Sequence, residues 1–594
     1  MRQRRFVAGL AVIAVAATLA ACTSQPIVVK NSSVAIGVAS PLTSYNPATS
    51  FGATTVNQQI SYATNSNFVY YDNHSKLIAD TSFGTVKRVG TSPLRVRYTI
   101  NAGVKWSDGT KVDASDLLLA WAANSGALNT VGFDPTGYTA PNGTFTSSFP
   151  KDAVWFDGQS LGGLQYASSL PTIGSNGRSI TLNYDQFFVD WESAFSVGLP
   201  AHIVGEKALG LTSASSAKAA VLEAISTDDT TKLAAISRTW NSAFNVAHGA
   251  IDPDLLIGDG PYKVASVARD HTVTLVANKR YSGDHRPRIA QIDVRVIASR
   301  KAAVKALGDG SVDIITPSAT AATAKELLTL SKVTVASGFD ATFDHLDLQF
   351  ANSKSGLFDD KRVRTAFLLT VPRREIVDKV AGALQEEPAP RSSFVFFPGT
   401  AAYDAAIADN GSKEYDAVDL TRARALLRAA HVRSPRVCIL FDPENPARVA
   451  EFTLIRASAK QAGISVTNCS STDWVARLGQ KGAYDAALFG WRSTSSAVTA
   501  AAARLHSGVT PLNYNNYASS ITDTLLDALA QTPDAEGQNA LLGQIDHQLF
   551  SDAYGLPLFQ LPSLTAFGTT VTGIQRSPFA PGVFWNIWEW RPTG

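Results

Sequence analysis

A chain of 594 residues is too long for one ordinary domain and suits two to four. Hydrophobic residues at 45% with charged residues at 17% fit a globular chain with substantial cores. A net charge of +2, with both signs spread along the sequence, leaves neither a basic patch for nucleic acid nor an acidic tail.

The N-terminus reads as an export signal. Arg2, Arg4 and Arg5 make a positive start, and an apolar run from Phe6 to Ala21, broken only by Thr18, ends in Leu19-Ala-Ala-Cys22. That run is below the ~20 residues that span a bilayer comfortably, and no later segment is apolar and long enough. Leu-Ala-Ala-Cys resembles the bacterial lipobox, in which the signal is removed before the Cys and the thiol is acylated. The competing reading is an ordinary cleaved signal with a stray cysteine, but Cys22 sits where cleavage should fall. The expectation is a signal peptide over 1–21, a tether over 22–31 with palmitate-type chains on Cys22, and a body held on the outer face of a membrane.

Val34–Val38 looks like a first strand and Asn57–Val69 like a helix. Leu94-Arg-Val-Arg-Tyr-Thr-Ile100 alternates apolar and polar residues, the mark of a half-buried strand. Trp106-Ser-Asp-Gly-Thr110 supplies turn chemistry. Asp113 then caps a helix, with Asp116 placed for a capping box and Leu117, Leu118 and Trp121 forming an apolar face. From 124 to 177 the chain is rich in Gly, Ser, Thr and Pro and reads as loops and short strands. Ala-rich helices follow over 214–241, and alternation returns over 271–277 and 292–296. In the second half, helices are expected over 361–381, 421–430, 446–462 and 522–550, with strands over 437–441, 464–466 and 484–489. That alternation predicts an α/β lobe.

Three cysteines are present. With Cys22 lipidated, Cys438 and Cys469 remain, and an even remainder in an exported protein predicts one disulfide. Each lies on a strand-like run, joined through a helix; two separate buried thiols are the other reading. Gly158-Gln-Ser160-Leu-Gly162 fits a nucleophile-elbow pattern, but Gly163, Pro171 and Gly174 argue against the helix that must follow. The nine His contain no His-Glu-x-x-His, and Asp252, Asp254 and Asp259 lack the calcium-loop pattern. No catalytic residue, metal or cofactor is expected. The rival of a different class is a secreted serine hydrolase using Ser160.

Several segments stand in one order. Tyr98–Trp121 holds a strand, a Trp-Ser-Asp-Gly-Thr turn and a helix; Gly258-Asp-Gly-Pro-Tyr-Lys263, Lys301–Ile314, Phe358–Phe367, Tyr484–Trp491, Asn513–Tyr517 and Leu556-Pro-Leu-Phe559 follow. This series resembles the extracellular solute-binding family that includes oligopeptide-, dipeptide- and nickel-binding lipoproteins. The resemblance covers nearly the whole mature chain. It implies an α/β, two-lobe periplasmic-binding-protein-like fold with an extra subdomain in the N-terminal lobe. On the family pattern, lobe I covers 32–75 and 201–315, the extra subdomain 76–200, lobe II 316–558, and the return to lobe I 559–594. The implied function is capture of a peptide or peptide-like solute by hinge closure, for ABC permease subunits driven by cytoplasmic ATPases. The chain has no Gly-x-x-x-x-Gly-Lys-Ser/Thr loop of its own.

The resemblance also implies the binding residues. Peptide-binding members follow Gly-Trp with a loop whose Asp pairs with the ligand α-amine. Here the loop reads Gly490-Trp-Arg-Ser-Thr-Ser-Ser496, with no Asp or Glu between Asp485 and Asp523. Thr494 stands near the acidic position, and Arg492 suits a carboxylate, phosphate or other acceptor-rich group. Gly490, Trp491, Arg492 and Thr494 are therefore candidates from lobe II. Leu42, Ser44 and Tyr45, in the loop after the first strand, are candidates from lobe I, where the family offers backbone groups to an extended peptide. The two sets are expected to face one another across the cleft. A second reading keeps the fold and places a glycan or a non-peptide anionic solute there.

Overall fold

In the computed structural model the described residues are 28–593, apart from 75, 136, 141, 159–162, 247–248, 383, 385–387, 493–500 and 508–511. The signal segment, Cys22, Ser160 and Thr494 lie outside them, as does the side chain of Arg492.

Two long strands, Val333–Leu348 and Gly555–Gly568, run antiparallel and carry the architecture. Their register is continuous from Val333↔Gly568 to Phe339↔Pro562, shifts before Phe343↔Gln560, and shifts again between Asp344↔Phe559 and His345↔Pro557. The first shift falls at Asp340–Thr342, where the Asp340 carboxylate accepts from the N–H and hydroxyl of Thr342. Nε2 of Gln560 donates to both Asp340 O and Thr342 O, bridging the break. On one side of it the ribbon pairs with Ile314–Ile315; on the other it pairs with Ala486–Arg492. One ten-stranded sheet therefore passes through two lobes, and the ribbon is their shared crossing.

Lobe I continues the sheet with Val29–Val38, parallel to both Ile314–Ile315 and Ile289–Val296, and then Val273–Ala277 and Tyr262–Val267 as antiparallel edge strands. Lobe II continues it with Arg436–Leu440 and Ser465–Asn468, both parallel. Each lobe has its own apolar interior: Val34, Ile36, Ile292, Trp121 and Trp590 in the first, Leu346, Phe367, Ile439, Leu488 and Phe559 in the second. At about 25 cal/mol per Å2 of buried apolar surface, these two interiors dominate the stabilisation.

A separate antiparallel sheet orders Gly84–Thr91, Leu94–Ile100, Ser179–Asn183 and Thr172–Ile173. The alternation of Leu94–Ile100 is fully used: Leu94, Val96, Tyr98 and Ile100 are buried and join the lobe I interior. Helix Ala114–Ser125 packs beside it with the capping box in place. Asp116 does more than cap. It is fully buried, lies 2.7 Å from Lys218 Nζ and accepts from Ala201 N, so it ties three segments together. Leaving Lys218 unpaired there would be costly.

Prolines divide two helices expected as continuous. The first is Lys361–Leu368 followed by Arg373–Val380, interrupted at Pro372. The second is Ser520–Gln531 followed by Ala535–Ser551, interrupted at Pro533. A proline lacks the N–H an inner turn needs and disfavours helical geometry before it. The first helix, Thr55–Thr64, is also shorter than expected, closing at Asn65, whose N–H donates to Ser61 O. Cys438 and Cys469 form a disulfide between the neighbouring parallel strands of lobe II, with Cα atoms 5.6 Å apart.

The lobes touch away from the crossing. Val189 N–H donates to Ala530 O at 3.2 Å. Phe397 of lobe II meets Phe579, which in turn meets Tyr71 of lobe I. Among the described residues, no helix is long and apolar enough to cross a membrane.

Candidate functional site

Lobe I carries a groove of about 390 Å3. Its floor comes from helix Thr55–Thr64, which presents Gln58, Ser61 and Tyr62 at one-face spacing. Its walls come from Tyr45–Ala48, from Asn65 and Asn67 beyond the helix, and from Ser193–Leu199. That last wall lies a few residues after Val189, the point of contact with lobe II. Among the described residues, no Lys, Arg, Asp, Glu or His lines the groove.

The carboxamides are held in place. Asn46 Nδ2 donates to Trp240 O, and Ser196 Oγ donates to Asn67 Oδ1. Asn65 Nδ2 donates to Ser61 Oγ, while its buried Oδ1 has no partner. The Gly258-Asp-Gly-Pro loop fixes this corner. Gly260 N–H donates to Thr64 O, and Ser66 N–H donates to Asp259 Oδ1. A Cβ on Gly258 would strike Thr64 O, and one on Gly260 would crowd the Thr64–Asn65 peptide, so the approach needs glycine at both positions. Asp259 is buried, its Oδ2 unpartnered, and burial pushes its carboxyl up to about 7.

Lobe II carries a second, smaller pocket beside the crossing. Phe343, His345 and Asp347 project into it from alternate positions of one long strand, and Trp491, Phe394, Arg504 and Tyr554 close it. His345 Nδ1 lies 2.7 Å from Asp347 Oδ1, and its buried Nε2 has no partner. Arg504 lies over the Trp491 ring at 5.0 Å and near Phe343 at 5.9 Å. Burial holds its pKa below the usual arginine value. On the far side of Phe343, Arg391 sits 4.0 Å from the ring; burial, with Arg504 adding repulsion, pulls its pKa down to about 9.

The opposite face of the same strand is structural. Asp344 pairs with Arg448, and Arg448 reaches Glu451 at 3.3 Å, pinning helix Pro446–Gln461 to the sheet. This pair explains Gly490. A Cβ there would lie 3.1 Å from Asp344 Oδ1 and 3.2 Å from Arg448 Nη2.

The residues expected from the sequence fall as follows. Leu42 and Tyr45 lie in the lobe I interior. Ser44 is fully buried, its Oγ accepting from Asn46 N–H. Tyr45 donates its hydroxyl to Thr64 Oγ1 while also lining the groove. What this loop offers a ligand is therefore mainly backbone. Gly490 and Trp491 lie on the strand paired with Asp344 and Phe343, Trp491 lines the lobe II pocket, and Arg492 pairs through its backbone with Thr342. Among the described residues, no cavity is lined by both sets. The sequence reading missed His345, Asp347 and Arg504. For the first two the signal was weak, since His345 and Asp347 alternate with Leu346 and Leu348 but Asp344 breaks the pattern.

Comparison with known proteins gives the following matches. The model of the bacterial extracellular solute-binding proteins, family 5 Middle, matches residues 211–508. An uncharacterized lipoprotein of Mycobacterium tuberculosis is 25% identical over 606 residues, covering 98% of this chain and 97% of its own. The solved periplasmic EDTA-binding protein EppA superposes with a TM-score of 0.78 at 19% identity, covering 96% of this chain and 98% of its own. The oligopeptide-binding protein AppA of Bacillus subtilis, solved with a nonapeptide, superposes with a TM-score of 0.66 at 17% identity, covering 95% and 99%. The fold is the α/β fold of these binding proteins.

Proposed function

The chain belongs to the bacterial extracellular solute-binding proteins of family 5, and from that premise we propose that it is the lipid-anchored receptor of an ABC importer, capturing oligopeptides or peptide-like solutes between its lobes. Family and fold are those of substrate-binding proteins rather than enzymes. The observation that carries the peptide reading is the lobe I groove, which is lined by fixed carboxamides and hydroxyls and, among the described residues, by no charged side chain. Such a wall pairs with peptide N–H and C=O groups whatever the side chains are. The ribbon joining the lobes supplies the hinge, and its two register shifts, at Phe339/Phe343 and Asp344/His345, fall within the crossing. Energy for transport comes from the partner permease and its ATPases.

Attachment through Cys22 accords with relatives named lipoproteins. Cys22→Ser is expected to abolish labelling by a fatty-acid analogue; equal labelling of both proteins would end that part of the proposal.

The second reading, a non-peptide anionic solute, is favoured by the absence of any acid between Asp485 and Asp523 to neutralise an α-amine. Native mass spectrometry of the purified protein, followed by denaturation, separates the two. Released peptides are expected; a released non-peptide acid or glycan would replace the first reading with the second.

A further inference from the structure

We infer that the end of lobe I from which the chain runs toward Cys22 is a docking face for the phosphate headgroups of an anionic phospholipid bilayer, and that it parks the receptor with its groove turned to solution; this rests on reading the protein as a lipid-anchored receptor. The ground is a gathering of cations at the root of the first strand. Val29 N–H donates to Arg288 O, so Val29–Val38 starts beside Arg288. Lys30 stands exposed where the register shifts between Val29↔Ile289 and Ser33↔Gln291. Arg286, two residues before Arg288, is half-buried, and its Nε has no partner. Lys279 and Arg280 are exposed and follow Val273–Ala277, which pairs antiparallel with Ile289–Val296, so they lie at the same end of the sheet. Arg280 brings in a further segment: its guanidinium lies against Gly109, where a Cβ would come within 3.0 Å of Nη1. Lys105, exposed just before that turn, shares a small cavity with Ser282 and Gly283.

These side chains come from stretches far apart in the sequence, and among the described residues none of them has a carboxylate within ion-pair distance. Other lobe I cations do: Lys207 pairs with Asp252, Lys232 with Glu223 and Arg295 with Asp293. Of the carboxylates in the same stretches, Asp108 is held by His202 at 2.7 Å, which leaves Asp284. Like charges gathered without counter-charge repel, and an anionic surface relieves that repulsion. Each Lys or Arg close to such a surface tightens attachment about fivefold. Position supplies the other half of the argument. Seven peptide steps separate Cys22 from Val29. At full extension they reach about 25 Å, so a lipid on Cys22 holds this face close to the headgroups. Val29–Val38 then rises about 30 Å and carries Leu42–Tyr45, at the edge of the groove, to the opposite end. A docked root therefore leaves the groove open to solution.

The test uses the Cys22→Ser protein from residue 22 onward, so that no lipid contributes, and vesicles of phosphatidylcholine alone or mixed with phosphatidylglycerol, read by co-sedimentation. Binding is expected only with phosphatidylglycerol, and is expected to vanish in ~0.5 M salt, where screening acts within a few ångström. Lys30→Gln, Lys279→Gln and Arg280→Gln together are expected to weaken it about a hundredfold, at about fivefold each, with an unchanged thermal midpoint. Arg456→Gln, Lys460→Gln and Lys481→Gln together, which remove exposed cations of lobe II, are expected to leave it unchanged. A fluorophore on Ser282→Cys is expected to be quenched by nitroxide-headgroup lipid, and one on Gln58→Cys, in the groove, to stay bright. Equal loss in the two triple variants would reduce the attraction to net charge and overturn the inference, as would equal binding to both vesicle types or quenching of both fluorophores. Retention on dextran sulfate without binding to vesicles would overturn it too, and put a soluble polyanion on this face. Vesicle binding by the Cys22→Ser protein, with a wild type that takes no fatty-acid label, would uphold the face while removing the anchor. No binding to either vesicle would overturn the inference whatever the label shows.

Discussion

Asp259 shows how a motif residue acts through its surroundings. The two glycines beside it let the chain lie against the end of helix Thr55–Thr64, and that closeness excludes water from the carboxyl. In the folded state its pKa is about 7, whereas in the unfolded chain it is about 3.9. Folding therefore takes up a proton between these values, and stability falls as pH rises from about 4 to about 7. Chemical denaturation of wild type at pH 5 and pH 8 is expected to show this loss. Asp259→Asn, which keeps the oxygen facing Ser66 N–H, is expected to shrink the difference by about 2–4 kcal/mol. An identical pH dependence in both proteins would mean that Asp259 ionises freely. Gly490 makes a related point. Its sequence context marks a binding loop, yet the space it leaves is filled by the Asp344–Arg448 pair. Gly490→Ala is expected to destabilise lobe II, read as a lowered urea midpoint.

At the scale of elements, legibility followed local chemistry. Leu94–Ile100 was readable to its ends because one face is wet and the other dry. Helix Ala114–Ser125 was readable from its capping box. The long crossing Val333–Leu348 was not, because Asp344, His345 and Asp347 are buried against partners distant in sequence, and hydropathy reads them as surface. Its partner was legible only in part, at Leu556–Phe559, since Pro557 and Pro562 lie inside a strand that the sequence shows as broken. The same limit governed the site: Trp491 was found by motif, but Arg504 comes from a segment with no pattern of its own. The Cys438–Cys469 pair was legible because the cysteines lie on strands joined by one helix. Its closed loop spans a sequence separation of 31, for which chain-entropy estimates give about 3–4 kcal/mol. Thiol counting on denatured, unreduced protein is expected to find both sulfurs blocked. Cys438→Ser with Cys469→Ser is expected to lower stability by that order; two reactive thiols, or an unchanged midpoint, would contradict the account.

For the whole molecule, the sheet organisation sets the function. One two-stranded ribbon carries the sheet through both lobes, and its register shifts twice, at Phe339/Phe343 and at Asp344/His345. Among the described residues, contacts between the lobes away from the ribbon include the hydrogen bond from Val189 to Ala530, the Tyr71–Phe579–Phe397 aromatic chain, and Leu384 of lobe II in one apolar cluster with Ala35 and Val304 of lobe I. Among the described residues, the lobe I groove is amide-rich with no charged lining, whereas the lobe II pocket is lined by His345, Asp347 and Arg504.

Closure on a peptide is most directly measured as a distance between the lobes. Leu170 and Ile521 are exposed, on lobe I and lobe II respectively, and carry spin labels as cysteines in a Cys22→Ser background where the disulfide occupies the remaining thiols. Without ligand, a broad or two-peaked distribution is expected. A library of oligopeptides should collapse it to one narrower, shorter distance. A distribution that stays the same while the peptide is bound would contradict capture between closing lobes.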